Sequence, residues 1–126
     1  MRKLCLAALL IAFPALAQAA SLQVAGKAGY LSEWEVSATA SPNANDAREF
    51  SGPLLVKHIG LCSPNGPVEK SGEIKIKMSG LSRSTMDATL TFGGQTCTLR
   101  AFRGDTVEGV MDCPDTRGVP ITLTIK

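Results

Sequence analysis

The chain has 126 residues, of which 44% are hydrophobic and 19% charged, and its formal net charge is +2. This length accommodates one domain, and the chain is too apolar and too weakly charged to be intrinsically disordered. The sequence shows no repeat of the collagen or solenoid type, so a single globular domain is predicted.

The first 19 residues have the three regions of a secretory signal peptide. Two basic residues precede an apolar run over residues 4–13, and small residues follow up to Ala19. The run is shorter than the roughly 20 apolar residues that a transmembrane helix needs. We therefore expect cleavage before Ala20 and a mature domain over residues 20–126 with no integral membrane segment. Its location would be periplasmic or secreted.

Removal of this segment would balance the charge of the chain. Eleven basic and 11 acidic residues would remain. Nucleic-acid binding needs clustered positive charge to neutralise phosphates, and the nearest approach to a cluster is Lys75 and Lys77 beside Glu73. We therefore expect no nucleic-acid partner.

From residue 30 onward, apolar and polar residues alternate almost everywhere with a period of two. Such alternation predicts antiparallel strands with one wet face and one buried face. The predicted strands are residues 30–40, 48–61, 72–79, 85–92, 95–102, 106–113 and 118–126. Residues 22–24 are a candidate for an eighth strand.

Gly, Pro, Asn and Asp separate these strands. Residues 41–46 and 63–67 form polar loops, and Gly93–Gly94 predicts a two-residue hairpin turn. Short connections make strands that are neighbours in sequence neighbours in space. The sequence therefore predicts an all-β fold, a small antiparallel up-and-down β-barrel of seven or eight strands. A two-sheet β-sandwich is the alternative.

Three cysteines follow residue 19: Cys62, Cys97 and Cys113. In an exported protein they allow one disulfide and leave one cysteine over. Cys97 and Cys113 lie on adjacent predicted strands and would stand opposite each other, which makes them our preferred pair. Cys62 with Cys113 is the alternative, because both lie where a strand meets a loop that contains proline. No CxxC motif or paired Cys/His spacing is present, so we expect no metal and no cofactor.

His58 is the sole histidine and Trp34 the sole tryptophan. Strict alternation turns His58 inward, and Tyr30 would share a strand face with Trp34. A single large aromatic residue or histidine in a domain of this size more often fills the core, but in a barrel that holds a ligand such side chains line the cavity. Tyr30, Trp34 and His58 are our candidate ligand-binding residues.

The sequence predicts no catalytic site. Glu33 and Glu35 are expected on a wet face, without apolar surroundings that would raise a carboxyl pKa for acid/base work. No serine lies in a nucleophile motif that His58 could serve as base. We therefore expect a protein that binds rather than an enzyme.

In size, export signal and strand layout, the chain resembles the small secreted calycin-type barrels, such as avidins and lipocalins, and the compact periplasmic inhibitors of lysozyme. The lipocalin Gly-x-Trp signature is not met, because Gly29 lies five residues before Trp34. No residue role is carried over from these families.

Two functions are compatible with such a barrel. The first is an exported non-enzymatic binding protein that holds a small apolar ligand in a calycin-like interior near Trp34 and His58. The alternative is a protein-interaction or enzyme-inhibitor module that uses the rim loops 41–46 and 63–69 against another exported protein.

Overall fold

The computed structural model describes residues 20–59, 68–80 and 84–126. Eight antiparallel strands form a closed barrel in which sequence neighbours pair and β1 pairs with β8. The strands are β1 Leu22–Ala28, β2 Trp34–Pro42, β3 Glu49–His58, β4 Glu69–Ser79, β5 Thr85–Phe92, β6 Gln95–Phe102, β7 Thr106–Asp112 and β8 Val119–Ile125. The predicted all-β up-and-down barrel is confirmed, with eight strands, and the sandwich alternative is wrong. The described residues include no helix long and apolar enough to cross a membrane.

The strand bounds differ from the prediction at the end of the barrel where β2 begins. β2 begins at Trp34 rather than at residue 30, because the preceding turn contains the left-handed residues Gly29 (φ 103°) and Ser32 (φ 54°). Such backbone cannot continue a strand ladder. β3 ends at His58, β4 begins at Glu69, and the suggested eighth strand extends to Ala28.

The two ends of the barrel differ in how they are filled. We call the end where β2 begins the Trp34 end, and the opposite end, where β4 finishes, the Met78 end. At the Met78 end, Met78 and Met86 are paired across β4 and β5 and are almost completely buried, as is Ile76. Close packing of this kind leaves little free space.

The outer face carries two rows of alternating charge that run across the strands. The first row is Lys27, Glu35, Lys57 and Glu69, and the second is Glu49, Lys77, Asp87 and Arg100. In the second row, Arg100 Nε donates a hydrogen bond to Asp87 Oδ1 at 2.8 Å. Exposed ion pairs contribute little to stability, but opposite charges directly across two strands favour this register.

Cys97 and Cys113 form a disulfide between β6 and the residue that follows β7. The preferred pair is confirmed and the pairing of Cys62 with Cys113 is wrong, while Cys62 itself lies outside the described residues. The bridge closes a sequence separation of 16 residues, which corresponds to about 3 kcal/mol in the chain-entropy model. A structural disulfide indicates an oxidising compartment.

Two inward glycines allow neighbouring strands to approach closely. A Cβ atom added at Gly72 would overlap the carbonyl oxygen of Thr91 on β5, and one added at Gly52 would overlap the carbonyl oxygen of Thr39 on β2. These neighbours are backbone atoms, which cannot rotate away. Glycine is therefore required for the tight curvature of β3 and β4.

We expect Gly72→Ala to lower the free energy of unfolding by about 2 kcal/mol or more, because the strands must separate to admit the methyl group. Gly104→Ala is the matched control, since a Cβ there would meet only the Thr106 carbonyl oxygen, at 3.4 Å. Urea unfolding followed by Trp34 fluorescence measures both variants. Equal stability of the two would contradict the close approach.

Candidate ligand-binding site

A cavity of about 330 Å³ opens at the Trp34 end of the barrel. Its walls are mainly apolar and include Val36, Val56, Leu90, Phe92 and Met111. Polar side chains surround its mouth, namely Tyr30, Glu33, Lys70, Gln95 and Thr116. The volume lies at the lower limit of small-molecule sites, which span about 300–1,000 Å³.

The position of the cavity follows from the side chains that face inward at this end. Ala28, Val36 and Val56 are short or branched, and all three are buried along its wall. At the opposite end, long side chains such as Met78 and Met86 fill the corresponding space. In the described chain, the barrel therefore has a cavity at the Trp34 end and buried methionines at the Met78 end.

Trp34 is the central aromatic residue of the mouth. It is half-buried at the start of β2, packs against the core and lines the cavity. The His58 ring lies edge-on to it, with 4.6 Å between ring centroids and an interplanar angle of 84°. Lys70 Nζ lies 5.4 Å from the Trp34 ring centroid, within the range of a cation–π contact.

The structure places the three predicted site residues around the mouth in different roles. Trp34 and Tyr30 line the cavity. Tyr30 lies in the turn before β2, with 68% of its surface exposed, and its hydroxyl donates to the Arg117 carbonyl oxygen at 3.4 Å. His58 contacts the Trp34 ring and is not among the residues that line the cavity.

Glu33 lies in the turn before β2 rather than on the wet face of a strand, and it lines the mouth. Its side chain folds back over the turn, where Oε2 accepts a hydrogen bond from the Leu31 N–H at 2.9 Å. Gly29 suits this turn because its φ of 103° is a backbone conformation that residues with a Cβ atom rarely adopt. Hydrogen bonds from the Glu33 and Leu31 backbone N–H groups lower the pKa of this carboxyl, and His58 contributes a smaller effect of the same sign.

Lys70 is a site residue that the strand prediction missed. It is half-buried, and it shares the inward face of β4 with Gly72 and Ile74. The prediction began this strand at residue 72. The period-two alternation, extended two residues toward the N-terminus, would have placed a lysine on the inward face.

The described residues do not assemble a metal site. Across residues 20–59, 68–80 and 84–126, no three His, Cys, Asp or Glu side chains are grouped so that they could hold an ion. The residues around the mouth can instead hold an apolar body against Trp34 and a polar group near Lys70.

Comparisons of this chain with protein-family models, with curated proteins and with solved structures give no match. The fold and the site define a small closed β-barrel with an apolar cavity at one end.

We expect the Glu33 carboxyl to titrate below 4.5, the ordinary value for glutamate, because two backbone N–H groups stabilise its ionised form. Since the pKa is lowered on folding, this stabilisation is present above the ordinary pKa and is lost as the pH falls through the folded pKa. An NMR pH titration of the Leu31 amide proton measures the midpoint.

Glu33→Gln should abolish this titration of the Leu31 amide, and Glu35→Gln on the outer face of β2 should leave it unchanged. A midpoint at or above 4.5, or the same titration in Glu33→Gln, would show that the carboxylate does not hold the turn.

Proposed function

We propose that this chain is a non-enzymatic binding protein that holds a small apolar ligand in the cavity at the Trp34 end. The observation that carries the proposal is the open cavity of about 330 Å³ with apolar walls, in a barrel whose opposite end is filled. A barrel that needed only stability would gain from filling this space, because each buried CH₂ group contributes about 0.8 kcal/mol.

The size of the cavity limits the ligand. At the lower limit of small-molecule sites, it suits a compact molecule of about ten carbon atoms. The free energy gained by burying the apolar surface of such a ligand must offset the translational and rotational entropy that it loses on binding. The walls near Leu90 and Phe92 supply the apolar contact that this requires.

The binding protein is proposed to act after export, in the periplasm or the medium. The disulfide between Cys97 and Cys113 supports this location, since such bonds persist in oxidising compartments. The composition of residues 1–19 supports a signal peptide, and we propose that it is cleaved before Ala20.

We expect the exported product, expressed from the full chain, to have the mass of residues 20–126 less two hydrogen atoms. The missing hydrogens report the bridge, and the mass of the chain reports the cleavage site. Intact-protein mass spectrometry of the exported fraction, before and after thiol alkylation, makes the measurement. A product that retains Met1 in the cytoplasmic fraction would contradict export.

Binding itself is tested with decan-1-ol, a neutral apolar probe, and with Trp34 as the reporter. Because Trp34 is the sole tryptophan and lines the cavity, its emission should change as the cavity fills. Val119→Phe adds an aromatic ring at the cavity wall and should weaken decan-1-ol binding by about tenfold or more. Val110→Phe, at an exposed position of β7, is the matched control.

The thermal midpoint gives a second readout, because a ligand that binds the folded state raises it. The midpoint of Val119→Phe without ligand should stay close to that of the wild type, since the new ring enters free space. No change in emission or midpoint with decan-1-ol, or equal affinity in the two variants, would refute the binding proposal.

A protein-interaction or inhibitor role is the second candidate, and one observation favours it. The turn before β2 displays Tyr30 and Leu31, which are 68% and 87% exposed, and Glu33 holds it in shape. The rim loops 41–46 and 63–69 follow the ends of β2 and β3, which lie at opposite ends of the barrel, and residues 60–67 lie outside the described residues.

A further inference from the structure

We propose that the ligand is a medium-length apolar acid whose carboxylate binds Lys70 at the mouth of the cavity. This inference rests on the proposed function and adds the chemical class of the ligand. The observation behind it is a lysine on the inward face of a barrel strand, directly above apolar walls.

The register of β4 fixes the direction of Lys70. It pairs with Val56 of β3 and lies two residues before Gly72 on the inward face. Charged side chains are rarely placed in apolar surroundings, because desolvation of the charge is costly unless a partner compensates for it. Lys70 is half-buried and its ammonium group lies at the open mouth, so a ligand that enters the cavity would meet a positive charge there.

The aliphatic part of the Lys70 side chain lies close to Gly93 in the turn between β5 and β6. A Cβ atom added at Gly93 would lie 3.1 Å from Lys70 Cδ, so the side chain passes close over this turn. Its Nζ then lies 5.4 Å from the Trp34 ring centroid. The ammonium group is thus directed to the rim of the cavity and retains donors for a ligand.

Lys70 is not a member of an ion pair in the described residues. The ion pairs in the described residues are Lys57 with Glu69 and Arg100 with Asp87, both on the outer face. Glu33 also lines the mouth, but its carboxylate already accepts backbone hydrogen bonds from the turn. Lys70 is the cationic side chain that lines the mouth, and an anionic head group would bind on its side, away from the negative charge that Glu33 retains.

The arrangement of apolar walls and ammonium group matches one kind of molecule. An alkyl or aryl body would lie against Leu90 and Phe92, and a single carboxylate would reach Lys70 at the mouth. Gln95, which also lines the mouth, offers an amide N–H to the second carboxylate oxygen. A compact monocarboxylic acid satisfies both the volume and the charge.

The test compares decanoate with decan-1-ol, which share an alkyl chain and differ in charge. Dissociation constants are measured through Trp34 emission for the wild type, Lys70→Met, Lys70→Arg and Lys75→Met. Lys75 is on the same strand but faces outward, so its variant is the matched control. We expect Lys70→Met to weaken decanoate binding by about tenfold or more, and to leave decan-1-ol binding nearly unchanged.

Lys70→Arg should keep most of the affinity for decanoate, because it retains the positive charge, and Lys75→Met should match the wild type. If decan-1-ol binds and Lys70→Met weakens both probes equally or neither, the anion inference is overturned and the binding proposal stands. If neither probe binds the wild-type protein, the binding proposal fails and the anion inference fails with it.

Discussion

Closure of the sheet through the pairing of β1 with β8 is the constraint on which the structure depends. A closed sheet has no free edge, so every strand finds its backbone partners within the barrel. Closure also directs one face of all eight strands into a single narrow interior, which can be filled by side chains or can hold one small molecule. Register decides which residues share each level of that interior, and the charge rows on the outer face favour the register observed.

The two ends of the barrel use this interior differently. At the Met78 end, Met78 and Met86 are paired across β4 and β5 and are buried in the core. At the Trp34 end, short side chains leave a cavity, and a lysine is tolerated on the inward face because its ammonium group reaches solvent at the mouth. The cavity and the inward Lys70 therefore lie at the same end of the barrel. A charged side chain buried among Met78 and Met86 would lose its hydration without gaining a partner.

The alternation of apolar and polar residues predicts most strands of the barrel, but it does not predict the conformation of the residues at the cavity mouth. The predicted bounds of β5 and β6 match the structure, because β-branched and apolar residues alternate on both sides of Gly93–Gly94. Alternation predicts Tyr30 in a strand, because nothing in the sequence marks Ser32 as left-handed. Alternation does not predict Lys70 as a strand residue, because a strand that begins Glu-Lys-Ser-Gly shows little alternation of hydrophobicity. The mouth consists of such strand ends, where tertiary contacts rather than periodicity decide the conformation.

The disulfide lies at the Trp34 end of the barrel, beside the cavity. Cys113 lines the cavity, and Cys97 pairs with Leu90 on the adjacent wall. In the described chain, β6 and β7 share only the register pairs Thr98 with Asp112 and Leu99 with Met111, so this seam has few ladder contacts. The bridge contributes about 3 kcal/mol, a large part of the 5–15 kcal/mol typical of a domain. Side chains that filled this cavity would stabilise the fold but remove the free space. A covalent bond in the cavity wall stabilises the fold and leaves the space free.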